Sequence, residues 1–480
     1  MNAFSFASSV GNQAVVVGRF AGRGATKCRL VIVTALVLSL TGSAAQAENP
    51  VQTIGSAAAA QGVTADSAVG GWATREGRYV KLITDLPDSG RLDEWIMAFD
   101  AAVPQWAEYF GRDLDDFRDW RVTAYVMVNK EAFVAPGYVP PNLPFFRFGF
   151  QAGDRVWVMN QPTAEYTRHL LLHEGAHAAG FHLFGGCGPP WFMEGIAEYL
   201  STHAWDAEAR PPVRVGIIPA DPLGVAGWGR IELIRAAREQ QQVPRIESVM
   251  KYSDMAHREV APYAWSWLAV TLMESYPEYR EILRDAATRG RDTTPEFNRR
   301  IYQSLQDQWP ILVARWSLLV QDIEYGWDAE RLRVELPARP LPLRGGPQRL
   351  ELAVDRGWQA AGVAVAAGQR VRVEASGRYV VRQPPAGPDG ETPRAWETEA
   401  DGVTIRYHRG EPLGKLIACL VPLRVDNTKP NLPELQIQAI GSAGELTATA
   451  DSWLLFRVNE AADQLFDNRG MLTVRIEAAD

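Results

Sequence analysis

The spacing of apolar residues changes character twice along this chain. Between Tyr79 and Asn160, short alternating runs fit strands at 79–84, 122–128 and 155–160. A helical period fits 92–110, and a stretch from Ala135 to Phe146 with four prolines reads as a loop. From Glu165 onward the pattern is helical, with expected helices at 165–179, 191–200, 229–240, 262–276, 278–289, 295–306 and 309–324. Pro337, Pro340, Pro342 and Pro347 then mark a joint, after which short alternating runs separated by Gly, Pro and Asp continue to the end. The pattern predicts an α+β architecture: a small sheet with a helical part over 76–330, a joint over 331–347, and an all-β sandwich over 348–480. No internal repeat of solenoid or propeller period is found.

The first 75 residues differ from the rest. Lys27-Cys28-Arg29 precedes an apolar run from Leu30 to Leu40, and Ala45-Gln46-Ala47 precedes Glu48. That order is the order of a signal peptide (1–47) cleaved after Ala47, which predicts export to the periplasm or outside the cell. Eleven apolar residues are too few to span a bilayer, and nothing later is apolar enough, so no membrane span is expected after signal removal. Residues 48–75 lack periodicity and read as a flexible lead-in.

Charge narrows the partners. Four of the 49 basic residues lie before position 48 in a segment with no acid, so removing it takes the net charge from -8 to about -12. An acidic balance argues against nucleic acid. Cys28 leaves with the signal; Cys187 and Cys419 remain, either as one disulfide or as two free thiols.

Four of the seven histidines fall between 169 and 182, and two of them frame His173-Glu174-Gly175-Ala176-His177. On a helix, positions i and i+4 share a face, so both imidazoles can reach one metal ion. Glu174 is turned about 100° from His173, beside that ion, where a general base for water belongs. A second helix follows in Trp191-Phe192-Met193-Glu194-Gly195-Ile196-Ala197-Glu198-Tyr199. Glu194 supplies a third ligand and leaves the fourth position open, and Glu198, one turn on, is placed to accept the second N–H of a ligand histidine.

These two segments resemble the gluzincin zinc metallopeptidases, the thermolysin- and aminopeptidase-like group with peptidase-MA-like domains. The resemblance implies a catalytic Zn2+ on His173, His177 and Glu194, Glu174 as base, and a peptide or protein substrate. It also implies that the strand at 155–160 is the edge strand that pairs with an extended peptide. His182 is out of register for the third histidine of the metzincin pattern, and His169 and His203 read as supporting or surface residues. Tyr263 is the first candidate for the donor to the oxyanion, and His257 the second. No Gly-Ala-Met-Glu-Asn-like segment is present, which argues against aminopeptidase activity.

Residues 348–480 resemble the galactose-binding bacterial lectin fold and related jelly-roll-like sandwiches, through Gly414–Ile417, Leu455–Asn459 and Asp467-Asn468-Arg469-Gly470. That resemblance implies Ca2+ at Glu460, Gln464, Asp467 and Asn468, and glycan or cell-surface contact. The expected function is therefore an exported zinc metallopeptidase. Two alternatives stand beside it: a binding or adhesion protein acting through the sandwich with a non-proteolytic zinc site, and a zinc hydrolase of a non-peptide bond.

Overall fold

The computed structural model describes residues 72–87, 90–386, 393–426 and 428–479. The segment read as a signal peptide lies outside them, as does most of the lead-in. The lead-in expected over 48–75 ends earlier: a strand, β1 (Ala73–Glu76), begins at Ala73 and pairs antiparallel with β2 (Val80–Thr84).

Helix α1 (Gly90–Tyr109) connects β2 to the parallel strand β3 (Val122–Met127). A short strand, β4 (Gly149–Ala152), turns back antiparallel onto β5 (Arg155–Met159), which pairs in parallel with β3. The sheet order is β1-β2-β3-β5-β4, so β4 is the end strand and β5 is internal. The expectation that 155–160 forms the edge is thus corrected. The Phe- and Gly-rich run before β5 folds back on it, a hairpin too short to show a period in the sequence.

Alternation along β3 explains how the sheet is covered. Ala124 and Val126 join the core with Trp95, Phe99 and Trp106 of α1, while Tyr125 and Met127 face Phe133, Val139 and Phe146 on the other side. The proline-rich loop is therefore a lid over the second face of the sheet. Two helices leave the sheet: α2 (Ala164–Phe184) and α3 (Pro190–Ser201). Thr163 caps α2 by accepting the Tyr166 N–H, and Gly185 ends it at φ 71°. Helix α2 is buried without a break from Tyr166 to Gly180, as a helix with no clear polar face must be.

Beyond a two-stranded ribbon, β6 (His203–Trp205) with β7 (Val213–Val215), the chain is helical. Its helices are α4 (Arg230–Glu239), α5 (Ile246–Val249), α6 (Ala261–Glu274), α7 (Pro277–Ala287), α8 (Pro295–Leu305), α9 (Trp309–Asp322) and α10 (Ala329–Leu332). Helix α3 crosses α6 at Gly195, where an added Cβ would lie 2.6 Å from the Ser266 carbonyl oxygen. Only glycine permits that approach.

The rest is β. In chain order come β8 (Leu341–Pro342), β9 (Gln348–Ala353), β10 (Gln359–Val365), β11 (Arg370–Ser376), β12 (Tyr379–Arg382) and β13 (Trp396–Thr398). They are followed by β14 (Val403–His408), β15 (Glu411–Leu413), β16 (Leu416–Pro422), β17 (Gln436–Ala439), β18 (Ala443–Thr447), β19 (Ser452–Val458) and β20 (Met471–Ala479). Two sheets, β17-β16-β19-β10-β8 and β18-β11-β20-β9, enclose a core that includes Leu454, Phe456, Leu472 and Val474. The molecule is thus α+β in two parts.

The opposite face of β16 and β19 is also covered. Cys419, Val421, Trp453 and Leu455 pack with Ala314 and Leu318 of α9 and with Val334 and Leu336 of the joint. Buried on both faces, β19 carries the apolar run Trp453 to Phe456 rather than an alternation. An ion pair, Arg457 to Asp322 at 3.0 Å, lies beside this seam with both side chains buried. Cys419 and Cys187 are free thiols. Among the described residues, no helix is long and apolar enough to cross a membrane.

Candidate metal centre

Helices α2 and α3 bring His173, His177 and Glu194 together as the spacing predicts. His177 Nε2 lies 3.1 Å from His173 Nε2, and Glu194 Oε2 lies 3.2 Å from His173 Nε2 and 3.4 Å from His177 Nε2. Tetrahedral coordination with bonds of about 2.0–2.1 Å sets ligand atoms roughly 3.3 Å apart, so these three atoms suit one ion. The charge balance suits a divalent one. Glu174, Glu194, Glu198 and Arg230 are buried together. Glu194 and Glu198 are held as carboxylates against the single guanidinium of Arg230, which leaves buried negative charge for a cation to offset. These buried groups could hold a metal ion.

Glu174 does not point into the ligand trio; its Oε1 lies against β4, where a Cβ added to Gly149 would be 2.4 Å away. Glycine at that position lets the end strand pass directly over the carboxylate. Burial pushes the Glu174 carboxyl up to about 7, against the pull of His173 and His177. Burial also opposes charge on Glu194, but its hydrogen bonds to the two histidines outweigh it and hold that carboxyl below the usual range.

Behind the ligands stands Glu198, 1% exposed. Its Oε1 is 3.4 Å from His173 Nδ1 and its Oε2 3.4 Å from His169 Nε2. The approach to His173 Nδ1 lacks hydrogen-bond geometry, since that nitrogen has no partner. Arg230, at the first turn of α4, grips the carboxylate with two bonds of 2.7 and 3.1 Å. Sequence reasoning missed Arg230, which lies 32 residues from its partner in a helix that otherwise reads as a surface element. Its only local signal is Gly229 before it, which turns the chain at φ 63°.

Tyr263, at the start of α6, faces the centre with its ring 6.2 Å from that of His173. Burial, then the charges of Glu194, Glu174 and Glu198, push its phenol up, so it remains a protonated donor. His257 packs 5.1 Å from Tyr263 and approaches Ser266 Oγ at 3.2 Å. His169 is buried and bonds through Nδ1 to the Ser201 carbonyl. His203, read as supporting or surface, is buried: its Nε2 accepts the Arg168 N–H, and burial followed by the Arg168 charge pulls it down to about 3. His182 lies apart, bonded to the Asp116 carbonyl and packed against Phe117 and Trp120.

In the β part, Asn468 donates to Glu460 at 2.7 Å and to the Val354 carbonyl at 2.9 Å, and Asp467 accepts the Gln383 N–H. Gln464 stands at the start of the 3-10 turn Leu465–Asp467.

No described protein family matches the sequence, and no curated protein matches it. Among solved structures, the chain is similar to one described as EclA N-terminal domain, PllA-like lectin, at 21% identity and a TM-score of 0.18. The match covers 28% of this chain and 96% of that one, a likeness too low in TM-score to carry fold or function across.

Proposed function

We propose that the protein is an exported zinc metallopeptidase of the gluzincin kind, with a thermolysin-like catalytic part and a jelly-roll-like β part that positions enzyme or substrate. The observation that carries the reading is the convergence of His173 Nε2, His177 Nε2 and Glu194 Oε2 to within 3.1–3.4 Å, with Glu174 beside them. His173, His177 and Glu194 would hold zinc, whose N/O donor set this is. When bound, zinc supplies Lewis-acid polarisation of a carbonyl and makes water more acidic.

The chain's own groups supply the rest. An extended substrate would add to the free side of β4, which aligns its backbone over Glu174. Glu174 takes a proton from the attacking water as the new C–O bond forms. It returns that proton to the nitrogen as the C–N bond breaks, so the amine leaves neutral. Tyr263 donates its O–H to the oxyanion that develops between these steps.

The test is a cleavage profile on a mixed peptide library with zinc counted by mass spectrometry, wild type against Glu174→Gln. One zinc per chain with cleavage only by the wild type is expected; absence of stoichiometric zinc would overturn the reading.

A further inference from the structure

The buried cluster contains two overlapping trios of metal-ligating atoms, not one. His173, His177 and Glu194 form the first, and His169, His173 and Glu198 form the second. All five side chains are buried, so exposure does not distinguish the trios. Arg230 does. Its Nη2 and Nε engage Oε1 and Oε2 of Glu198, while its Nη1 donates to the Trp228 carbonyl at 3.0 Å. Both oxygens of the second trio's carboxylate thus already face a cation. Among the described residues, no guanidinium stands in this way on Glu194, whose Oε2 meets the two imidazoles.

We propose that Arg230 is a positioning residue that selects which trio takes the metal. It acts through Glu198, fixing that carboxylate 3.4 Å from the otherwise unpartnered His173 Nδ1, within a small shift of accepting its N–H, and barring it from service as a ligand. The inference rests on the zinc site proposed above. A planar fork suits the task, because lysine carries the charge but cannot hold both oxygens at once. Groups that orient a ligand histidine typically change metal affinity by about 10–100-fold when altered.

The experiment is zinc affinity by chelator competition on the full chain, for wild type, Arg230→Lys, Glu198→Gln and the double variant, with melting of the zinc-free proteins alongside. Arg230→Lys should weaken zinc by about 10–100-fold. The double variant should be no weaker than Glu198→Gln alone, because one residue acts through the other. His169→Ala should change affinity less than threefold, by the same reasoning that His169 is not a ligand. Where Arg230→Lys melts at room temperature, the Arg230→Gln/Glu198→Gln pair, which removes both buried charges together, gives the same comparison against Glu198→Gln. Zinc affinity unchanged within twofold in these variants, additive losses, or a tenfold loss in His169→Ala would each overturn the assignment. A wild type that binds no zinc would instead sink the zinc site itself.

Discussion

Buried polar groups in the two parts of this molecule are arranged differently. In the half built on the first sheet and its helices, His173, His177 and Glu194 aim atoms able to hold a metal at a common point. In the β half, Asn468 gives its amide hydrogens to Glu460 and the Val354 carbonyl, and Asp467 takes a backbone N–H, although Asn468 Oδ1 has no partner. Residue type alone would nominate both clusters. Geometry separates them: the first converges on a space between its members, and the second bonds to the chain that surrounds it.

The comparison breaks first at Glu174. Glu174→Gln should lower turnover by about 10³-fold with zinc content unchanged, as measured by kcat and metal analysis together. Retained turnover would make the convergence a structural site only. Tyr263→Phe is expected to cost about 10²-fold in kcat with little change in KM, since its donor acts on charge that develops during reaction. A smaller loss, roughly tenfold, is expected for Gly149→Ala, whose Cβ must displace the Glu174 carboxylate; its zinc affinity should match wild type.

The smallest effect lies in the β half and concerns stability. Burial, with Asp467 nearby, pushes Glu460 up to about 8, whereas its ordinary value is 4.5. The folded chain therefore binds more protons between those values, and its stability should fall as pH rises through that window. Glu460→Gln should flatten the slope in urea melts across pH 5–8, and calcium should move the wild-type melting temperature by less than about 1 °C. A large calcium shift would place a working ion site in each half.

What the sequence could reveal follows from distance along the chain. The candidate ligands were legible because His173 and His177 stand at i and i+4 on one helix, with Glu194 and Glu198 at the same spacing on the next, a local regularity. Arg230 was not, because two elements separate it from its partner Glu198 and a buried arginine in Arg230–Glu239 looks like any other charged residue of an amphipathic helix. Strand β4 was hidden for another reason: four residues cannot establish an alternation, and Gly149 weakens it further. The strands of the β half were readable individually. That Leu416 to Val421 and Trp453 to Phe456 are unbroken apolar runs signals cover on both faces, but which element supplies the second cover is not encoded nearby.

That second cover bears on how the protein comes apart. Cut from α9, the strands β16 and β19 would present Cys419, Val421, Trp453 and Leu455 to water as a continuous oily stripe, with Arg457 deprived of Asp322. The β half is therefore not a cassette that evolution or a cloning scheme can lift out intact. Heating should melt both halves in one cooperative transition, and amides of β19 should exchange with solvent as slowly as those of α2, because neither can open without the other.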